Sequence, residues 1–207
     1  SSDKAIEHYK KHEPIGCRDL HTMSLLKKKG VDAYFSGCLT LTLKNPFINP
    51  KRDKIYIVDA HLTSKNVYPW GSDHLLKKLI PKCIRDQAEY IEHEIPDSID
   101  KDDMHARQKY VRENLLNKYA QARLVITSRL HCALPCVAFN TPAIVLFSGL
   151  HTDNRYGGLK DYVHGYSSID DKVDFDFEHP KPKLSLEELN KLQAKIRSDI
   201  QSRVDAV

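Results

Sequence analysis

Apolar runs and amphipathic stretches alternate along the chain, and the alternation predicts which segments become strands and which become helices. Lys54-Ile-Tyr-Ile-Val-Asp59, Leu124–Thr127 and Ala143–Phe147 are short and rich in β-branched residues, as expected of strands buried in a sheet. Ile15–Arg18 and Val31–Phe35 predict two further short strands. A helix is expected over His21–Lys29, with Met23, Leu25 and Leu26 on one side and Gly30 as the stop signal. Another is expected over Asp102–Tyr119, where Ala106, Tyr110, Val111, Leu115 and Tyr119 recur near helical spacing. Lys4–Lys11, Asp73–Cys83, Ile84–Glu92 and His131–Phe139 also read as helices, and His93-Glu94-Ile95-Pro96 as an exit or a short strand. Gly157-Gly158 marks a tight loop, and Val173–Lys183 is acidic, proline-bearing and irregular. A long closing helix carries Leu184, Leu186, Leu189, Leu192, Ile196 and Ile200 on its apolar side.

Strands that alternate with helices imply an α/β protein, a Rossmann-like parallel sheet with helices on both faces. The 207 residues suit one domain with additions. The reading divides them into a lead-in helix over 1–14, a main domain over 15–183 and an amphipathic helix over 184–207. The apolar side of that last helix needs a partner, and a second copy in a homo-oligomer would supply one.

Composition narrows the function. The hydrophobic fraction of 41% and charged fraction of 29% are those of a globular domain, and no apolar run approaches the ~20 residues of a membrane helix. The opening SSDKAIEHYKKHEP has no signal-peptide core, and five cysteines without CxxC pairs suggest a reducing compartment, so a cytoplasmic location is expected. Cys132 and Cys136 beside His131 hint at zinc, but no second ligand pair follows, so core packing accounts for them better and no metal is expected. The net charge of +4 is mild and its lysines are scattered, which argues against a nucleic-acid surface and leaves small anionic ligands open.

In open parallel sheets ligands bind beyond the carboxyl ends of the strands. Polar residues collect there: Arg18-Asp19, Ser36-Gly37-Cys38, Asp59-Ala60-His61, Ser128-Arg129-Leu130-His131 and Ser148-Gly149. Ser128 suits an N-cap, so Arg129–His131 would form a first helical turn whose free N–H groups and dipole favour an anion. Arg129 adds a planar donor fork, and His131 exchanges a proton near neutral pH. Pro135 fits if it lies near the start of that helix. The alternative is an Arg129 paired with a nearby carboxylate and a His131 satisfied in the core; the residues alone do not separate the two. Arg18 taken singly is explained by a salt bridge to Asp19 or Glu13, and Arg155 sits in a loop that either closes over a ligand or is a surface turn. Glu92 and Glu94 flanking His93 read as a solvated charged segment. GxxxxGK[ST], GxGxxG and GxSxG are all absent.

IGCRDLHTMSLLKKKGVDAYFSGCLTLTL, KIYIVDAH, LLNKYAQARLVITSRLHCALPCVAFNTPAIVLF and DNRYGGLKDYV, in that order, resemble the polysaccharide pyruvyl transferase family. The similarity runs from roughly Ile15 to Val163, and SRLHCALPC and SGCLTLTL are its most specific parts. The resemblance implies a transferase that moves a pyruvyl group from phosphoenolpyruvate onto two hydroxyls of a sugar, making a ketal in surface-polysaccharide synthesis. It implies a fold like the C-terminal half of a GT-B pair, with 1–14 as the remnant of an N-terminal half. Carried over by motif, Arg18, Arg129, Leu130 and His131 belong to the donor site, His131 as general acid. Arg155 matches an arginine of the following loop, and Ser128 and Ser36 at the strand ends are assigned to substrate contact. Phosphoenolpyruvate is then a donor substrate, a sugar or glycan the acceptor, and no separate cofactor is implied. A sugar-nucleotide GT-B glycosyltransferase and a non-catalytic half-domain that binds an anionic sugar or a protein are the alternatives.

Overall fold

The computed structural model describes residues 3–63 and 71–204, so the outer ends of the predicted 1–14 and 184–207 segments lie outside the described residues. Helix α1 (Asp3–Lys10) leads into a βαβ unit of β1 (Ile15–Cys17), α2 (Leu20–Lys28) and β2 (Ala33–Phe35). The two strands pair in parallel as a small sheet of their own, over a core of Cys17, Leu26, Val31 and Ala33. Asp19 starts α2 by accepting from the Thr22 N–H at 2.8 Å, as an N-cap aspartate should.

The larger unit follows. Strand β3 (Lys54–Val58) leads through α3 (Asp73–Leu79) and α4 (Lys82–Gln87) to β4 (Glu89–Ile91). The chain then runs through α5 (Met104–Tyr110), a π-helical turn (Val111–Leu116) and α6 (Asn117–Gln121) into β5 (Ala122–Thr127), α7 (Leu130–Ala138) and β6 (Ala143–Leu146). Strand β7 (His164–Tyr166) and α8 (Leu186–Val204) complete it. All strand pairs are parallel, in the order β4-β3-β5-β6-β7.

The period-2 alternation of the strands sorts their side chains between two covers. Ile55, Ile57, Leu124, Ile126, Ile144 and Leu146 pack beneath α3 and α4. Tyr56, Val58, Val125 and Ala143 face Leu115, Tyr119, Cys132 and Cys136 on the opposite helices. Both faces are therefore covered, the doubly wound α/β arrangement that the sequence predicts. Arg52 ties the lower ends of β5 and β6 together, donating to the carbonyls of Ala122 (2.9 Å) and Phe139 (3.1 Å) and to Thr141 Oγ1 (2.7 Å).

Four expectations change. Ile84–Glu92 is not one helix: it is the short α4 followed by β4, an edge strand of three residues, too short to display an alternation. Strand β7, with a glycine at its centre, is likewise added. Asp102–Tyr119 is helical from Met104, but its middle turn is π-helical. The closing helix does not leave its apolar side waiting for a second copy. Leu189 and Ile196 are buried with Leu41, Leu134 and Val137, and Gln193 donates to the carbonyls of Leu41 and Ala138. Only Leu186 of the predicted apolar side points outward, at 58% exposure. Among the described residues no helix is long and apolar enough to cross a membrane.

Candidate active site

Strand order reverses between β3 and β5, because the chain goes out to β4 on one side and returns to β5 on the other. A crevice opens at such a point beyond the carboxyl ends of the strands. Here it is a cavity of about 490 Å³ lined by Arg18, His93, Ser128, Arg129, Leu130, His131, Phe147, Arg155 and Tyr156. Residues far apart in sequence thus meet from the ends of β1, β4, β5 and β6.

Arg129 occupies the centre. It stands as the N-cap residue of α7 with extended backbone, in the place expected for Ser128, and no side chain caps the helix. Its own N–H donates to Thr127 Oγ1 at 3.0 Å. The Nε atom donates to Asp59 Oδ2, and Nη2 to Glu94 Oε1 at 2.9 Å. Asp59 is fully buried at the end of β3 and has a left-handed backbone, φ 57°, which aspartate tolerates better than most residues. Its other oxygen accepts the His93 N–H at 2.9 Å. One buried carboxylate therefore fixes both the arginine and the segment that follows β4. Pro135 lies at the sixth residue of α7, beyond the first turn where it was expected, and its missing N–H leaves the His131 carbonyl without its usual helical donor.

His131 is exposed at the start of α7, so it is not a core histidine. Behind it lies Cys38. Burial opposes ionisation of that thiol, but hydrogen bonds with His131 and Thr40 outweigh it and draw the pKa down to about 7. The Cys38 Sγ to Thr40 Oγ1 separation is 3.1 Å.

Arg155 reaches the cavity from the loop after β6, held by Asp153 through Nε at 3.0 Å and Nη2 at 2.5 Å. That hydrogen bond holds the Asp153 carboxyl below its ordinary range, and the positive charges of Arg155 and Arg18 add to it. Gly158 locks the loop against the β1–β2 unit. Its φ is +81°, and a Cβ there would stand 2.8 Å from the Phe35 ring. Arg18 lies 3.9 Å from Asp19 Oδ2, the long edge of an ion pair, and its Nε is buried with no hydrogen-bond partner among the described residues. Ser128, 1% exposed, likewise has an Oγ with no partner among them. Buried polar atoms are rarely left unpaired, so both are available to a ligand or water in the cavity.

The cavity brings together Arg18, Ser128, Arg129, Leu130, His131 and Arg155. Ser36 is not among its lining residues: the pairing of β1 with β2 holds it through Ser36 N–H to Cys17 O (2.9 Å), and its hydroxyl donates to the Gly37 carbonyl at 3.1 Å. Sequence reasoning missed the roles of Asp59, His93 and Glu94. A buried β-branched run ending in Asp59 carried a signal for the first; the other two were hidden because β4 reads as helix.

An arginine-lined crevice at the switch point of a parallel sheet has the charge and the donor groups to suit an anion, with the His131 imidazole on the same lining. The family model described as polysaccharide pyruvyl transferase matches residues 1–146. With more than half of the chain matched, the protein belongs to the polysaccharide pyruvyl transferase family. Arg18, Ser128, Arg129 and His131 fall within the matched segment, and Arg155 follows it. No curated protein and no solved structure matches the chain.

Proposed function

We propose that this protein transfers a pyruvyl group from phosphoenolpyruvate to two hydroxyls of a sugar, and that the cavity at Arg129 holds the donor. The observation that carries the reading is the convergence of Arg18, Arg129, Arg155 and His131 on one cavity, where the Ser128 hydroxyl and Arg18 Nε have no partner among the described residues. Phosphoenolpyruvate has a planar carboxylate and a tetrahedral phosphate, both of which present oxygen pairs suited to guanidinium forks. On this reading the five-stranded unit corresponds to the donor half of a GT-B-like pair. The five free cysteines suit a reducing, cytoplasmic setting.

On this reading the proton balance gives the histidine a proton to move. Ketal formation removes two protons from the acceptor hydroxyls; one ends on the enol methylene, making it methyl, and the other leaves with phosphate. His131 gives the first proton to the methylene, which leaves cationic character at the adjacent carbon for hydroxyl attack. The arginines hold the carboxylate and then the departing phosphate, whose charge grows as its bond to carbon breaks.

Thermal-shift titration tests donor binding. Phosphoenolpyruvate at a hundredfold excess over its Kd stabilises a one-site protein by about 2.7 kcal/mol. Stabilisation by phosphoenolpyruvate, lost in Arg18→Met and Arg129→Met, is the expected result. Phosphate release over a panel of galactosides and mannosides should fall by roughly 10²–10⁴ in His131→Gln. Stabilisation by nucleotide sugars with none by phosphoenolpyruvate would overturn the reading in favour of a glycosyltransferase.

A further inference from the structure

The segment leaving β4 divides two cavities. His93 lines the arginine cavity, while its neighbours Glu92 and Glu94 line a second cavity of about 500 Å³. Ile91, Ile95, Pro96 and Asp97 also line the second cavity, so a bend at 93–94 turns His93 alone of this stretch toward the arginines. The far wall of the second cavity carries Tyr110, Asn114 and Lys118, on and beside the π-helical turn Val111–Leu116. Single π-helical turns within longer helices occur frequently at functional sites, because the widened turn re-aims side chains.

The two cavities differ in sign. The first is lined by three arginines; the second has Glu92, Glu94 and Asp97 against Lys118. A phosphate or carboxylate ligand is therefore disfavoured in the second. A metal ion is not favoured either, since among the described residues no three His, Cys, Asp or Glu side chains group closely enough to hold one. What the lining does offer is a set for a neutral polyhydroxyl ring. Its carboxylates accept from hydroxyl pairs, the Asn114 amide both donates and accepts, and the Lys118 ammonium donates. Tyr110, half-buried with its ring against the Leu115 and Tyr119 cluster, offers an aromatic face for a sugar's C–H side. Asn114 Nδ2 donates to the Tyr110 carbonyl one turn back, at 3.3 Å. Glu94 joins the two cavities, being half-exposed and reaching Arg129 Nη2 at 2.9 Å.

We infer that this second cavity binds a neutral sugar ring, and that the ring is the acceptor, set one residue's width from the donor; the label of acceptor rests on the function proposed above. Saturation-transfer NMR with methyl β-D-galactopyranoside and methyl α-D-mannopyranoside tests it, alongside phosphoenolpyruvate thermal shifts on the same samples. Saturation should pass to at least one glycoside in the wild-type protein, be lost in Asn114→Leu and be weakened in Asp97→Asn. Both substituted residues are exposed, so folding should survive, and the phosphoenolpyruvate shift should stay as in the wild type. No transfer to either glycoside, or transfer unchanged in Asn114→Leu, overturns the inference. Transfer lost in Asn114→Leu without any phosphoenolpyruvate shift in the wild type leaves the sugar site standing and removes the donor reading instead.

Discussion

Replacing Asp59 by asparagine separates the carboxylate that holds Arg129 in place from the one that merely touches it. Asp59 is fully buried and accepts from Arg129 Nε and from the His93 N–H, whereas Glu94 is 47% exposed. Removing one partner of a buried ion pair costs about 3–5 kcal/mol, because a charge is left without compensation. Arg129 is 21% exposed and keeps Glu94, so the low end, about 3 kcal/mol, applies. Asparagine still accepts from the His93 N–H and tolerates the left-handed backbone, so neither adds to the loss. Alanine surrenders both, and should cost about 2 kcal/mol more. Glu94→Gln, by contrast, removes an exposed pair and should cost less than about 1 kcal/mol. For a domain of this size 1 kcal/mol moves Tm by about 2–4 °C, so Asp59→Asn should lower it by roughly 6–12 °C and Glu94→Gln by less than about 4 °C. Thermal unfolding followed by circular dichroism, with urea titration for the free energies, makes the comparison. Equal losses for the two variants, or an Asp59→Asn loss below about 1 kcal/mol, would refute the buried-clamp account.

Two further outcomes are expected. Arg52→Met removes a guanidinium that holds three acceptors at the ends of β5 and β6, and should cost about 3 kcal/mol in urea unfolding with the phosphoenolpyruvate affinity unchanged; a changed affinity would place Arg52 in the site. Cys38 has a folded pKa of about 7 against an ordinary 9.0. A depressed acid stabilises fully above its unfolded pKa and loses that contribution as pH falls through the folded one. The wild-type protein should therefore gain roughly 1–3 kcal/mol over Cys38→Ser between pH 7 and pH 9, and parallel stability curves would show that the thiol does not ionise beside His131.

The central strands were legible because burial on both faces imposes one composition along the whole run, as in Ile55–Val58 and Ala143–Leu146. Edge strands have no such constraint. Glu89 pairs with Lys54 at 2.6 Å, and Tyr90 lies edge-on to His61 with centroids 5.3 Å apart, so β4 is set by contacts to residues some thirty positions away. That one missed strand hid the carboxyl end from which His93 and Glu94 enter the site. The strand-end rule found Arg18 and Arg129 because it needs only local signals. It also selected Ser36, which does not line the cavity and whose hydroxyl donates to the Gly37 carbonyl. The neighbours of each group, Asp59 at Arg129 and Cys38 at His131, depend on tertiary approach and leave no local signature.

Two readings of Arg129 stood open from the sequence, an anion site or an ion pair, and the structure shows why they were never exclusive. Asp59 and Glu94 accept from Nε and Nη2 of Arg129. A side chain already fixed by a buried carboxylate loses little further rotamer freedom when an anion arrives, so the ion pair lowers the cost of binding. Ion pairing at Arg129 therefore cannot decide whether the crevice holds a ligand. Titration with phosphoenolpyruvate can, because the Ser128 hydroxyl and Arg18 Nε are buried without partners among the described residues, and a ligand that pairs with them should gain about 1–3 kcal/mol for each.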